Sequence, residues 1–171
     1  MHFLKFLLHN EQLSDKNYTM VYSYVLVLFT ALTFAVLPAQ SGSKQPTYFM
    51  ENNKFINGFD PVSYFDSSGP QKGSDKIKST LGSGEVFFVN IENKKKFDQN
   101  PEKYIPAYNG YCAYAMAKDK FYKVKPESYK IIDGKVYLFY ENVFVKTLKK
   151  WNKDEAKLKA KADTFWKAHE G

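Results

Sequence analysis

The sequence contains no arginine, and this absence limits what the chain can bind. All 25 basic residues of the 171-residue chain are lysine, and the formal charge is +7. Arginine supplies the planar, bidentate fork that holds phosphates and guanine edges. Lysines alone hold a phosphate backbone as point charges, so the composition argues against a specific nucleic-acid binder. The lysine excess instead favours a solvated surface with weak attraction to anionic membrane surfaces.

Histidine is scarce and stands only near the two ends of the chain. His2 and His9 precede an apolar segment, and His169 lies close to the last residue. Neither a Ser-His-Asp nor a Cys-His arrangement can therefore form within the central part of the chain. A zinc site of the usual kind needs several histidine or cysteine ligands, and the central part offers a single cysteine. We expect no catalytic residue and no enzyme activity.

The carboxylates of the central part have simpler explanations than acid–base chemistry. Asp60 precedes Pro61, a pair that can cap and open one helical turn. Asp133 precedes Gly134 at a turn signal. No two carboxylates show a spacing that favours a catalytic pair.

The N-terminal part has the pattern of a targeting segment. Residues 21–37 are apolar and uncharged, Pro38 ends the run, and small residues follow it. This order is typical of a secretory signal peptide, and we assign residues 1–41 to it, with Met20 as an alternative start. A single membrane anchor is the other interpretation, because the run is just long enough to span a bilayer. The chain is therefore predicted to be exported, to a periplasmic or extracellular location.

After this segment we place a linker at residues 42–52 and one domain at residues 53–171. The stretch "KIKSTLGSGEVFFVN" predicts a hairpin with strands near 75–81 and 85–90. Two apolar runs around Asp133-Gly134 predict a second hairpin, because this dipeptide suits a tight turn.

Helical signals occupy the rest of the domain. We expect a short helix at 93–100 ended by Pro101, a helix at 142–151, and a C-terminal helix. Asn152 with Glu155 three residues later predicts a capping box for the last one. Its apolar stripe comprises Leu158, Ala162, Phe165 and Trp166. The predicted class is α+β, a small antiparallel sheet of hairpins packed with short helices and a C-terminal helix.

Cys112 is the only cysteine, so no internal disulfide can form. It lies in "PAYNGYCAYAMA", residues 106–117, and four interpretations stay open. The thiol is a buried apolar group, or a reactive thiol, or a ligand with Met116 of copper or another soft metal. The fourth interpretation places it on the wall of a small-molecule pocket. The tyrosines that would line this pocket are Tyr64, Tyr104, Tyr108, Tyr111 and Tyr114.

Several motifs together resemble one protein family. They are "NGFDPVSYF" at 57–65, Gly73, and "FFVNIENKKKFDQNPEKYIPAYNGYCAYAMA" at 87–117. With the later "DGKVYLFY", "KKWNKD" and "ADTFW", they resemble the YHS domain family, and more closely its exported bacterial members. The resemblance covers about residues 53 to 168.

The resemblance implies a binding or accessory module, since the wider family is regarded as metal-binding. Its metal-type members carry a cysteine after Asp-Pro-Val, where this chain has Ser63. They carry a further cysteine pair after the second strand, where residues 89–93 contain no thiol. Fold is expected to carry over from the family better than function. A structural or protein-interaction domain with an inert cysteine is the alternative.

Overall fold

A computed structural model describes residues 48–169, and these residues form an α+β fold, as the sequence predicts. The strands are β1 (Met50–Glu51), β2 (Lys54–Phe55), β3 (Ser74–Leu81), β4 (Gly84–Phe88), β5 (Lys125–Ile132) and β6 (Lys135–Phe139). The helices are α1 (Ile91–Gln99), α2 (Pro101–Tyr104), α3 (Ala113–Met116), α4 (Thr147–Trp151) and α5 (Glu155–Lys167). Three single 3-10 turns occupy Ile56–Gly58, Ser63–Phe65 and Ala107–Gly110. The predicted targeting segment and most of the predicted linker lie outside the described residues.

The strands form two separate sheets. One has four strands in the order β1-β2-β4-β3, and the other consists of β5 and β6. All pairs are antiparallel except β2 with β4, which meet at Lys54 and Glu85 in parallel. The larger sheet is therefore mixed rather than wholly antiparallel. Within the described residues, no helix is long and apolar enough to cross a membrane.

Both predicted hairpins are present. β3 and β4 pair from Leu81–Gly84 outward, and β5 and β6 pair from Ile132–Lys135 outward. Asp133 and Gly134 both have positive φ, at 51° and 74°. Two successive left-handed residues match the right-handed twist of the flanking strands, so this dipeptide sets the register.

The polar caps of the two helices after β4 come from asparagine. The Asn90 side chain accepts from the backbone N of Asn93 at 2.7 Å, which begins α1. The Asn100 side chain accepts from Lys103 N at 3.3 Å, and Pro101 occupies the first position of α2. Proline suits this position because a backbone N–H in the first turn of a helix would have no acceptor within the helix.

Two predictions near the C-terminus are wrong: the length of one helix and the cap of the next. The helix expected at 142–151 is reduced to α4, because Glu141 and Lys146 pair as an antiparallel bridge before it. The capping box is also absent: Asp154 occupies the N-cap of α5 and makes no side-chain cap bond. Asn152 and Glu155 both accept instead from the ammonium of Lys130. A tertiary partner thus replaces the local one.

The buried apolar side chains form two cores. The first core includes Phe55, Phe88, Phe97 and Cys112, next to the four-stranded sheet. The second core surrounds the fully buried Trp151 and includes the inner side chains of α5, among them Ala162. Three of the four residues predicted for the α5 stripe are buried, and Phe165 packs against them partly exposed.

Candidate functional site

The Asp-Pro-Val motif serves the scaffold through a buried carboxylate. Asp60 is fully buried, and its Oδ1 accepts from Val62 N at 2.8 Å. Its Oδ2 accepts from Val89 N at 3.0 Å and from the Asn93 side-chain amide at 2.8 Å. One side chain therefore caps its own turn and joins it to the junction of β4 with α1. Ser63, where metal-type family members carry a cysteine, is also buried, and its hydroxyl donates to Asp60 O at 2.7 Å.

Cys112 is buried with its thiol inside a closed set of hydrogen bonds. Tyr140 N donates to Sγ at 3.3 Å, and Sγ lies 3.6 Å from Thr147 Oγ1. The Thr147 hydroxyl donates to Tyr140 O at 2.7 Å. Since that hydroxyl proton is already engaged, the thiol is the donor to Oγ1. The thiol thus links the end of β6 to the start of α4, and each of these polar groups has a partner.

The thiol of Cys112 is expected to be unreactive while the fold is intact. Its side chain has no exposed surface, so a maleimide should label it only through opening of the surrounding structure. We expect no labelling in buffer over the time in which the protein in 6 M guanidinium labels completely. As Cys112 is the only cysteine, the signal needs no correction for other thiols.

Cys112→Ala tests the same arrangement energetically. It removes the acceptor of Tyr140 N, and we expect a loss of about 1–3 kcal/mol in the free energy of unfolding. Rapid native labelling, or a variant as stable as the parent protein, would contradict the assignment.

Met116 lies one helical turn beyond Cys112, and its backbone N donates to Cys112 O at 3.0 Å. Both side chains are fully buried, yet they belong to different cores. Among residues 48–169, no group of three or more His, Cys, Asp or Glu side chains is placed to hold a metal ion. Copper binding by Cys112 and Met116 stays a prediction, and it would require the thiol to leave its present partners.

The five tyrosines proposed for a pocket occupy several places. The Tyr64 hydroxyl donates to Pro126 O at 3.0 Å, inside the first core. Tyr111 stacks edge-on between the rings of Phe49 and Phe121. These contacts hold loops against the body of the domain.

Of the other three tyrosines, Tyr104 belongs to the first core, Tyr108 belongs to the second, and Tyr114 packs partly buried against both. Tyr104 is buried against Phe65, and Tyr114 lies beneath the ammonium groups of Lys118 and Lys150. Tyr108 alone of the five lines the cleft described next. Ligand binding by the other four stays a prediction.

A cleft of about 390 Å³ opens beside the turn at Ala107–Gly110. Its walls come from separate parts of the chain: the start of β6, the end of α2, the turn itself and one face of α5. Its polar and aromatic lining residues are Tyr48, Glu102, Tyr108, Asn109, Lys135, Tyr137, Asp163 and Trp166. This is the best candidate functional site in the described part of the chain.

The backbone at this cleft is strained. Tyr108 and Asn109 have φ of 57° and 51°, and Gly110 follows with φ of 90°. Asparagine and glycine tolerate the left-handed region, but a bulky aromatic residue rarely adopts it. The Tyr108 hydroxyl holds the turn by donating to Asp163 Oδ1 at 2.8 Å. Strain of this kind is typical of ligand sites, because the surrounding structure must enforce it.

The titratable groups of the cleft form one connected set. Asp163 Oδ2 accepts from Lys159 Nζ at 2.9 Å, and this bond raises the pKa of Lys159. Burial, followed by the nearby Asp163 carboxylate, raises the pKa of Tyr108 well above its usual range. Burial also raises the pKa of Tyr137. Both phenols therefore stay protonated near neutral pH. The Tyr108 proton is held by Asp163, so Tyr137 is the phenol of this pair that can donate to a ligand.

Lys135 is the basic group at the mouth of the cleft. It is half-buried, and its Nζ donates to Glu102 O at 2.6 Å. Burial lowers the pKa of this ammonium, because the charged form loses hydration. An acceptor or anionic group of a ligand would restore part of that lost solvation. Together with the Trp166 ring, the cleft offers hydrogen-bond donors beside a flat apolar surface.

Sequence reasoning found Tyr108 and missed the rest of this cleft. Trp166 was assigned only to the apolar stripe of α5, and Lys135, Tyr137 and Asp163 carried no motif. The only local signal was Lys159 four residues before Asp163, a spacing that pairs two side chains on one helix face. Comparison of the chain with family models, with curated proteins and with solved structures finds no match in any of the three. The YHS resemblance therefore rests on the sequence motifs alone.

Proposed function

We propose that this domain is an exported binding or accessory module of the YHS type that takes a small organic ligand in the cleft beside Tyr108. The observation that carries the proposal is the strained turn at Tyr108–Gly110, which the Asp163 carboxylate holds at the cleft wall. The one hydroxyl that faces a carboxylate in the cleft is Tyr108, and its raised pKa keeps the phenol protonated beside Asp163, so we assign the cleft binding and no catalytic step. Export is supported by the apolar run at 21–37, with a periplasmic or extracellular location and an N-terminal anchor as the alternative.

The ligand class follows from the donors and the ring at the site. Lys135 and Tyr137 supply hydrogen-bond donors, and Trp166 supplies a flat apolar face. A planar aromatic molecule with a carboxylate matches both features, because its anionic group meets the ammonium and its ring meets the indole.

Two indole signals make this proposal testable by NMR. Trp166 lines the cleft, whereas Trp151 is fully buried in the second core and donates its indole N–H to Glu155 at 3.0 Å. On titration with benzoate or indole-3-carboxylate, we expect the Trp166 indole resonance to shift and that of Trp151 to stay. Lys135→Met should weaken binding about tenfold or more, since a charge-assisted hydrogen bond is lost.

Lys76→Met is the matched control, because Lys76 is an exposed lysine on β3. It should bind the probes as the parent protein does. Absence of any Trp166 shift at millimolar probe, or equal weakening in both variants, would contradict the proposed site.

A structural or protein-interaction role is the second candidate, and the buried Cys112 favours it. The closed hydrogen-bond set at Cys112, Tyr140 and Thr147 gives the thiol a purely structural task. On this view the motif maintains the fold, and recognition takes place on the outer surface.

A further inference from the structure

The segment between β6 and α4 exposes two large apolar side chains at the tip of a narrow loop. Glu141 and Lys146 pair as an antiparallel bridge and bring the ends of the loop together. Val143 is 86% exposed and Phe144 is 93% exposed at its tip. Leaving two apolar side chains in water costs free energy, so such a tip indicates an interaction.

The tip is held in shape by one asparagine. Asn142 Oδ1 accepts from Phe144 N at 3.0 Å and from Val145 N at 2.6 Å. Asn142 N also donates to Val145 O at 2.9 Å. This Asx-type turn fixes the backbone, so Val143 and Phe144 are presented outward by hydrogen bonds rather than by a loose loop.

Tyrosine rings form the base of the tip. The Asn142 side-chain amide donates to the Tyr140 hydroxyl at 2.9 Å, and the Tyr140 ring meets Tyr122 edge-on at 5.0 Å. Tyr122 is 47% exposed. Tyrosine is enriched at the boundary between membrane and water, because its ring is apolar and its hydroxyl is polar.

Lysines follow this loop along the chain. Lys149 and Lys150 are exposed on α4, directly after the loop. Lys118, two residues after the end of α3, lies on the same ring as Lys150: their ammonium groups are 5.7 Å and 5.9 Å from the centre of the Tyr114 ring. The acidic group on the loop, Glu141, is already paired with Lys146 at 3.5 Å. The segment 141–150, which holds the loop and most of α4, therefore carries net positive charge.

We infer that this tip docks onto an anionic lipid surface. Val143 and Phe144 would enter the boundary between headgroups and acyl chains, Tyr122 and Tyr140 would lie at the interface, and the lysines of α4 would face the headgroups. A protein partner fits less well. A stable protein interface buries about 800 Å² on each partner, and its core is depleted in lysine. This tip offers only two apolar side chains, and lysines follow it on α4.

A local fluorescence probe tests the docking in the full chain, whose apolar run at 21–37 can itself bind vesicles. Phe144→Trp places an indole at the tip. On vesicles of phosphatidylcholine with phosphatidylglycerol, we expect a blue shift of its emission relative to the parent protein. With brominated acyl chains the added emission should fall to about half, because a side chain inserted about 5–10 Å lies within reach of the bromines. Replacing Lys149 and Lys150 by glutamate in this variant should abolish the quenching.

Ile91→Trp is the matched control, because Ile91 is a half-exposed apolar residue at the start of α1, beside the other sheet. Its emission should be unquenched on the same vesicles. Equal quenching of the two variants, or none in Phe144→Trp on vesicles that carry the protein, would overturn the inference. If the emission of Phe144→Trp shifted to the blue with rising protein concentration in the absence of lipid, the tip would bind a second copy of the chain, and the inference would be overturned.

Discussion

Replacing Asp60 by alanine is expected to destabilise the domain by about 4 kcal/mol, roughly one kcal/mol or more for each donor it leaves unpaired. The variant removes both carboxylate oxygens while Val62 N, Val89 N and the Asn93 amide stay in place. A loss of this size is a large share of the stability of a typical domain. Urea unfolding followed by tryptophan fluorescence measures it.

Asp60→Asn grades the same effect. The asparagine side chain has the same shape as aspartate but only one acceptor oxygen. We therefore expect about half of the loss in unfolding free energy that Asp60→Ala causes. Asp66→Ala is the control, because Asp66 is exposed and should change stability by less than about 0.5 kcal/mol. If Asp60→Ala were no worse than Asp66→Ala, the carboxylate would not be the link between the turn and α1.

Gly73→Ala is expected to cost about 3 kcal/mol or more, because the added carbon has no space and its neighbours are backbone. A Cβ on Gly73 would lie 2.3 Å from the carbonyl carbon of Phe87 and 2.4 Å from Phe88 N. Gly73 N also donates to Gly58 O at 3.0 Å, which fixes its distance from the turn at Ile56–Gly58. Relief of the clash would have to separate β4 from this segment. Thermal and urea unfolding of the variant measure the loss.

Gly134→Ala separates a steric clash from backbone strain. Gly134 has φ of +74°, and no atom lies within 4 Å of a Cβ built there. Its substitution should cost about 1 kcal/mol from the left-handed backbone alone. Equal losses at Gly73 and Gly134 would show that β4 yields to the added carbon at little cost.

Asp60 and Gly73 both belong to the segments that resemble the YHS family, and both serve the fold rather than the cleft. Asp60 and Asn93 come from motif segments 33 residues apart and bond directly to each other. Gly73 is tightly packed against β4. Each of these residues makes contacts that the fold requires, and none of them lines the cleft at Tyr108.

Local signals in the sequence were sufficient for the hairpins and for the C-terminal helix. A two-residue hairpin turn requires two left-handed residues, and Asp133-Gly134 between two apolar runs supplies them. The α5 stripe repeats at helical spacing, and this pattern needs no knowledge of its partner. The capping box failed because Lys130, 25 residues before Glu155, attracts the same carboxylate. No window around Asn152 contains that competitor.

The sequence by itself determined the α+β class, the turns and the inner face of α5, because each depends on neighbours within a few residues. It also excluded histidine chemistry from the central part and an internal disulfide, because residue types alone decide those. Only the tertiary structure decided the partners of Cys112, the cleft at Tyr108 and the exposure of Phe144. Tyr140 and Thr147 lie 28 and 35 residues beyond Cys112, and no local pattern specifies which distant backbone group a buried thiol will meet.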